Sequence, residues 1–297
     1  MQNTFSIQLE KNEAENALSA LKSYDWIEQG VNNPYMVFKV KSIVGSTAIL
    51  YTSGKLVFQG REDFTKVIGA IKNNSGLEDN FVPHLGVDEV GKGDYFGPLV
   101  VVSCFVNDEF LEKVTRLGVG DSKKFADKKI IDLYSHIKSY PYYYVSIVQP
   151  YEYNMLINEC KNVSILSARQ HSKVIEMGLN DLKKKNIECQ KVVIDQFSNK
   201  KERILDELGE LGRITEIEQF HKGESDIAVA TASVLARGVF LEEWSKMSDK
   251  YSFKFPKGAS EVIEDGKYFV KKFGVKELEN VAKIGFKTTG KILQESF

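Results

Sequence analysis

The chain has 297 residues and a formal net charge of −1, with 42% hydrophobic and 27% charged residues. That length holds one large domain, or a large and a small one, each with its own core. The balance excludes intrinsic disorder and a global basic field, so any nucleic-acid binding must rest on local patches. No run approaches 18 apolar residues, and the first residues carry neither a basic region nor an apolar stretch of the export type. No membrane association and a cytoplasmic location are expected. The three cysteines, Cys104, Cys160 and Cys189, are odd in number and lack C-x-x-C pairing, which fits a reducing compartment.

Ala14, Ala17, Leu18 and Leu21 recur at helical spacing and predict a first helix over residues 10–23. The period then changes to that of strands over residues 35–40, 47–51 and 55–58, broken by Gly45-Ser46 and Thr52-Ser53-Gly54. These runs predict a three-stranded antiparallel meander. Phe64, Val67, Ile68 and Ile71 predict a second helix, and the polar stretch from Asn73 to Asn80 reads as a linker. The expected organisation is an N-terminal domain over 1–75, a linker over 76–82 and a larger domain over 83–297. The sheet face bearing Lys39, Lys41, Tyr51 and Lys55 reads equally well as a nucleic-acid surface and as an ordinary solubilised face.

From Leu85 the pattern is α/β. Strands are predicted at 85–90, 98–106, 142–148, 191–195 and 213–217, and helices at 127–139, 151–159, 164–185, 201–208, 226–247 and 260–273. One central sheet flanked by helices is the economical architecture.

The chemistry concentrates around Gly86-Val87-Asp88-Glu89-Val90-Gly91-Lys92-Gly93, which sets two carboxylates among apolar residues before a glycine-flanked lysine. Buried acids require a partner or a metal, and glycines let a backbone approach a ligand. The glycine spacing fits neither the dinucleotide fingerprint nor the P-loop. Asp195 ends the apolar strand Lys191-Val192-Val193-Ile194, at the kind of strand end where ligands collect in α/β sheets. Asp226 falls in the first turn of an Ala- and Ser-rich helix, with Ser225 as the expected N-cap. Asp88, Glu89, Asp195 and Asp226 together make an oxygen donor set suited to hard divalent cations, and two such ions suit displacement at phosphorus.

Those segments, with Asp121-Ser122-Lys123-Lys124, Pro256-Lys257-Gly258 and Phe286-Lys287-Thr288-Thr289 in the same order, resemble the type 2 ribonucleases H, and among them the bacterial ribonuclease HIII branch. The resemblance runs from about residue 83 to the C-terminus. It implies a ribonuclease H-like central sheet flanked by helices, preceded by a small α+β domain resembling half of a TATA-box-binding protein. It further implies endonucleolytic hydrolysis of the RNA strand of an RNA/DNA hybrid, leaving 5′-phosphate and 3′-hydroxyl ends. By the same resemblance Asp88, Glu89, Asp195 and Asp226 hold Mg2+, with Mn2+ as a substitute. Gly91, Lys92, Gly93, Ser122, Lys123, Lys222, Lys257 and Lys287 are the expected substrate contacts, and a monomer is the expected state. Ribonuclease HII usually has Gly-Arg-Gly where this chain has Gly91-Lys92-Gly93, which favours the HIII branch; a Tyr of HII falls near the place of Ala259, and the two departures together imply poor cutting at a single embedded ribonucleotide. The competing readings are a non-catalytic nucleic-acid-binding protein, a small-nucleotide phosphohydrolase and an HII-like junction enzyme.

Overall fold

A computed structural model describes residues 3–9, 11–31, 33–62, 64–74, 81–198, 200, 202–220 and 223–294. Most of the expected linker, residues 76–80, and the expected contact Lys222 lie outside them. The chain divides into two compact units, residues 1–81 with 115–118, and residues 82–114 with 119–297.

In the first unit Asn3–Gln8 (β1), Lys11–Ser23 (α1), Ile27–Gln29 (β2), Met36–Lys41 (β3), Thr47–Tyr51 (β4), Lys55–Gly60 (β5) and Thr65–Asn74 (α2) follow in order. The sheet order is β1-β5-β4-β3-β2, antiparallel throughout. The meander is therefore β3-β4-β5, and β1 and β2 add a strand at each edge that the sequence reading does not contain. Alternation sends Phe38, Val40, Leu50, Leu56 and Phe58 to one face, where Ala17, Ala20 and Leu21 of α1 and Val67 and Ile71 of α2 cover them. Trp26 meets Phe58 edge-on, and Phe58 stacks on Phe64 with ring centroids 4.9 Å apart. The registered pairs Lys39 with Ile49 and Ile49 with Val57 place Lys39, Lys41, Tyr51 and Lys55 together on the opposite face.

The second unit begins with His84–Val90 (β6) and Leu99–Val106 (β7), followed by Asp108–Leu117 (α3), Asp127–Ile137 (α4), Tyr143–Val148 (β8), Pro150–Cys160 (α5) and Val163–Lys184 (α6). It continues through Lys191–Asp195 (β9), Glu202–Glu207 (α7), Glu210–Ile214 (α8), Glu216–Phe220 (β10), Ile227–Tyr251 (α9), Ile263–Phe273 (α10) and Lys287–Leu293 (α11). The sheet order is β10-β9-β6-β7-β8, parallel across β10-β9-β6 and antiparallel across β6-β7-β8.

The strand predicted at 213–217 is displaced. Glu176 accepts from the backbone N–H groups of Leu211 and Gly212, which sustains a helical turn to Ile214, and the strand starts only where Glu216 registers with Lys191. α3, α8 and α11 are likewise absent from the sequence reading.

β7 is buried along its whole length, because the sheet is covered on both sides. Leu85, Val87, Val101, Phe105, Val192 and Ile194 meet Val174, Ile175 and Leu179 of α6 on one side. On the other side α9 approaches so closely that a Cβ on Gly86 would stand 2.0 Å from the Ala228 carbonyl carbon. The first turns of α9, Ala228 to Ala236, are buried on every side, which small residues permit.

Candidate active site

Asp88 and Glu89 are adjacent on β6, so their side chains leave the sheet on opposite faces. Asp88 shares the face of Gly86 and points to α9, where it hydrogen-bonds with the Ser233 side chain. Its Oδ1 also accepts from the Glu89 backbone N–H at 2.7 Å. Glu89 shares the face of Val87 and turns toward α6, with Oε2 3.8 Å from His171 Nδ1. The β6–β9 register, Val87 with Ile194, sets Asp88 beside Asp195 at the end of the neighbouring strand. Asp195 is fixed from above: Oδ1 accepts from the Gly223 backbone N–H at 2.9 Å, and a Cβ on Gly223 would stand 2.8 Å from Asp195 Cα.

The electrostatics follow from this crowding. Burial, assisted by the charges of Asp195 and Glu89, pushes the Asp88 carboxyl up to about 7 even though Ser233 and the Glu89 amide favour its ionised form. Lys92 answers Glu89, donating to Oε1 at 3.0 Å while also donating to the Phe197 carbonyl at 2.8 Å. Lys123 stands 3.5 Å from Asp195 Oδ2. Burial works against its charge, but Asp195, Asp88, Glu224 and Asp121 together raise its pKa above the ordinary lysine value. His171 is fully buried, which lowers its pKa against the pull of Glu89; its Nδ1 bonds the Ser167 carbonyl and its ring stacks on Phe197.

Asp226 is placed differently from the other three acids. It, not Ser225, is the N-cap of α9: Oδ1 accepts from the backbone N–H groups of Ala228 and Val229 at 2.9 and 3.0 Å. Oδ2 accepts from His84 Nε2 at 2.9 Å, while His84 Nδ1 bonds the Val82 carbonyl. Burial opposes its ionisation, but His84 and the two amides outweigh that and hold its carboxyl below the ordinary value. Both Asp226 oxygens are thus committed within the fold. Glu224 is an acid that the sequence reading missed. It lies in the short turn Gly223–Ser225 above Asp195, and its Oε2 is buried with no hydrogen-bond partner. Its signal was the Gly223-Glu224 step directly before the cap.

Among the described residues no three His, Cys, Asp or Glu side chains stand in a ready-made coordinating arrangement. The donor set nevertheless fits a hard divalent ion. Glu89 Oε2 and Glu224 Oε2 are buried and unpartnered, Asp88 and Asp195 repel each other, and magnesium needs only one or two protein carboxylates because it keeps water.

The expected substrate contacts fall into different places. Gly91 adopts a φ of +89° and lies against the Pro98 carbonyl, whereas nothing would meet a Cβ on Gly93 within 4 Å. Lys92 turns to Glu89 and Phe197 and stays partly exposed, whereas Ser122 is buried against Ser233 at 2.7 Å and is not displayed at the surface. Lys123 is largely exposed at the rim of the acids. Lys257 pairs with Asp127, which also binds Arg237. Lys287 is exposed at the start of α11, beside Thr288 and Thr289, which bond Ala259 and Tyr95.

Comparison with known proteins shows the family of the chain. A family model described as Ribonuclease HII matches residues 85–289. The chain is 34% identical to ribonuclease HIII of Protochlamydia amoebophila over 259 residues, 84% of each chain. It is 35% identical to ribonuclease HIII of Streptococcus agalactiae over 271 residues, covering 88% of this chain and 89% of that one. The crystal structure of Bst-RNase HIII in complex with Mn2+ superposes over 99% of both chains with a TM-score of 0.68 and 27% identity.

The raised carboxyl of Asp88 sets a pH-dependent stability. Below its ordinary value of 3.8 both folded and unfolded chains hold the proton. Between there and about 7 only the folded chain does, so rising pH lowers stability, and above about 7 the penalty is complete. Without metal at pH 8, Asp88→Asn should therefore unfold at a higher temperature than the parent, by at most about 4 kcal/mol of stability, with the difference vanishing toward pH 4. A melting temperature at pH 8 equal to or below that of the parent would show that Asp88 is not held against its charge.

Proposed function

The chain belongs to the ribonuclease HII family and to its ribonuclease HIII branch, and from that premise we propose how its own residues cleave the RNA strand of RNA/DNA hybrids. It is a ribonuclease H, a hydrolase of phosphodiester bonds within the RNA strand. The observation that carries the site is Asp88, whose buried carboxyl beside Asp195 and Glu89 is held against its charge, a charge that a bound cation would favour.

Asp88, Glu89 and Asp195 hold the divalent metal, Mg2+ by this reading with Mn2+ as its substitute. When bound, the metal supplies an activated water and stabilises the leaving 3′-oxygen, leaving a 5′-phosphate. Ser233 and the Glu89 amide orient Asp88, and the Gly223 amide orients Asp195. Lys92 and Lys123 hold countercharge on Glu89 and Asp195, the oxygens that would be offered to a bound cation. Gly91 and Gly93 present backbone to the 2′-hydroxyls, which distinguish RNA from DNA. Lys123, Lys257 and Lys287, with Lys222, hold phosphates without reading sequence. The lysine-bearing sheet face of the N-terminal unit is a second duplex-binding surface. The enzyme acts as a cytoplasmic monomer.

The fourth carboxylate has two claimants. Asp226 matches the family pattern, whereas Glu224 has the unpartnered buried oxygen and acts on the same lysine as Asp88 and Asp195. Glu224→Gln is expected to weaken Mn2+ binding, read by calorimetry, about tenfold or more. Asp226→Ala should mainly lower stability, by roughly 1 kcal/mol for the lost cap. The opposite ranking restores Asp226 as the fourth ligand.

Deleting residues 1–81 is expected to reduce hybrid affinity and flatten its salt dependence while sparing the rate at saturating substrate. Anisotropy across a salt series, run beside cleavage, decides this; an unchanged slope removes the N-terminal face from the binding surface.

Substrate choice follows from Lys92 and Ala259. A lysine offers a point charge in place of a guanidinium fork, and alanine offers no ring on which a sugar stacks. Duplexes carrying four or more consecutive ribonucleotides should be cut efficiently in Mg2+, and a single embedded ribonucleotide poorly. Comparable rates on the two substrates would move the enzyme to HII-like junction specificity.

A further inference from the structure

Lys283 is completely buried, and its ammonium binds backbone oxygens. Nζ donates to the Gly97 carbonyl at 2.6 Å and to the Asp94 carbonyl at 2.9 Å, with the Phe96 and Pro98 carbonyls at 3.5 Å. The backbone N–H of Lys283 donates to the Tyr95 carbonyl at 2.8 Å. Every carbonyl from Asp94 to Pro98 therefore converges on one residue. Converging carbonyl dipoles repel one another unless a cation sits among them, which is how backbone loops bind metal ions. The Tyr153 ring closes another side, 5.5 Å from Nζ. Burial lowers the pKa of Lys283 to about 7, with Asp94 opposing; the carbonyls at 2.6 and 2.9 Å are the groups that stand where its water would be.

The backbone carrying Lys283 is itself clamped. Gly97 N–H donates to the Val281 carbonyl, and Asn154 brackets the lysine, donating to the Ala282 carbonyl at 2.9 Å and accepting from Ile284 N–H at 3.0 Å. The gathered loop is the connection from β6, which bears Asp88 and Glu89, to β7. A Cβ on Gly91 would stand 2.1 Å from the Pro98 oxygen, so that carbonyl is the floor on which the Gly91 turn rests. From the same turn Lys92 reaches Glu89 and Phe197.

We propose that Lys283 is a positioning residue, a tethered cation whose ammonium gathers the Asp94, Phe96, Gly97 and Pro98 carbonyls and so sets the Gly91–Gly93 turn against the ribonucleotide strand. Only the kinetic part of its test rests on the hybrid-cleavage reading. Lys283→Ala leaves space for n-propylammonium, which restores the missing atoms and charge, whereas n-propanol restores the length without the charge. The variant is expected to raise KM for hybrid about tenfold or more while kcat stays within about threefold, and propylammonium alone should reverse this. Backbone hydrogen exchange over residues 91–98 should quicken in the variant and slow again with propylammonium. If the variant does not fold by itself, refolding in propylammonium must recover it. Unchanged KM and exchange, equal rescue by propanol, or no rescue of folding, exchange or KM by propylammonium would each overturn the proposal. A wild-type chain that cuts no hybrid would instead overturn the functional reading, with the exchange measurement still deciding the clamp.

Discussion

The contact on which the catalytic unit depends is the backbone-to-backbone approach of α9 to β6, at which Gly86 and Ala228 leave no space for a side chain. The same approach explains the small residues of α9, since any large side chain at Ala228, Ala232 or Ser233 would lift the helix off the strand. It also explains the chemistry. A helix held this close removes water from Asp88 two residues along the strand and leaves Ser233 as a hydrogen-bonding partner. Gly223 repeats the device one strand over, lying directly on Asp195 and donating its N–H to the carboxylate. Both acids are thus desolvated and aimed by glycine contacts that a larger residue would destroy.

The pleat then distributes the charges. Because Asp88 and Glu89 leave β6 on opposite faces, the pair straddles the end of the sheet: one member is buried under α9, the other reaches past Val90 toward α6. Asp195 joins Asp88 through the parallel register of β9. The three negative groups lie on neighbouring strands, and desolvation raises the free energy of their shared charge. Lys92 and Lys123 relieve part of that, each bound to one carboxylate oxygen. Ammonium groups beside carboxylates are countercharge of the kind that a divalent ion with oxygen ligands could replace at a gain in charge density.

Much of this was legible in the sequence, and what was not has identifiable causes. The strands of the catalytic sheet show as apolar runs because two covered faces demand apolar residues at every position, as in Leu99 to Val106. The acids show because they interrupt or end such runs. β1 and β2 escape because edge strands need little apolar content; β2 is three residues long and entirely exposed. The 213–217 strand is misplaced because Ile214 looks like a strand residue, yet it is a largely exposed helix end held by Glu176 capping α8. Ser225 was read as the cap because Ser and Asp are equally good caps, and only the bonds from Ala228 and Val229 separate them. That one-residue difference matters, since it commits Asp226 to the helix and leaves Glu224 with the open oxygen.

Lysines were the least legible of all, because a sequence does not print the partner of an ammonium. Lys123, Lys257 and Lys287 stand beside Ser, Gly or Thr, whereas Lys283 interrupts the apolar run Val281-Ala282-Ile284; Lys123 is largely exposed and Lys283 has no exposed surface. The difference arises from the partner. Lys92 and Lys123 are each bound to a carboxylate, which can accept another cation. Backbone carbonyls attract an ammonium without carrying a net charge, and a side chain anchored by Asn154 and Val281 cannot diffuse away from them. The turn between β6 and β7 is therefore held by a cation whose partners are backbone carbonyls and not carboxylates.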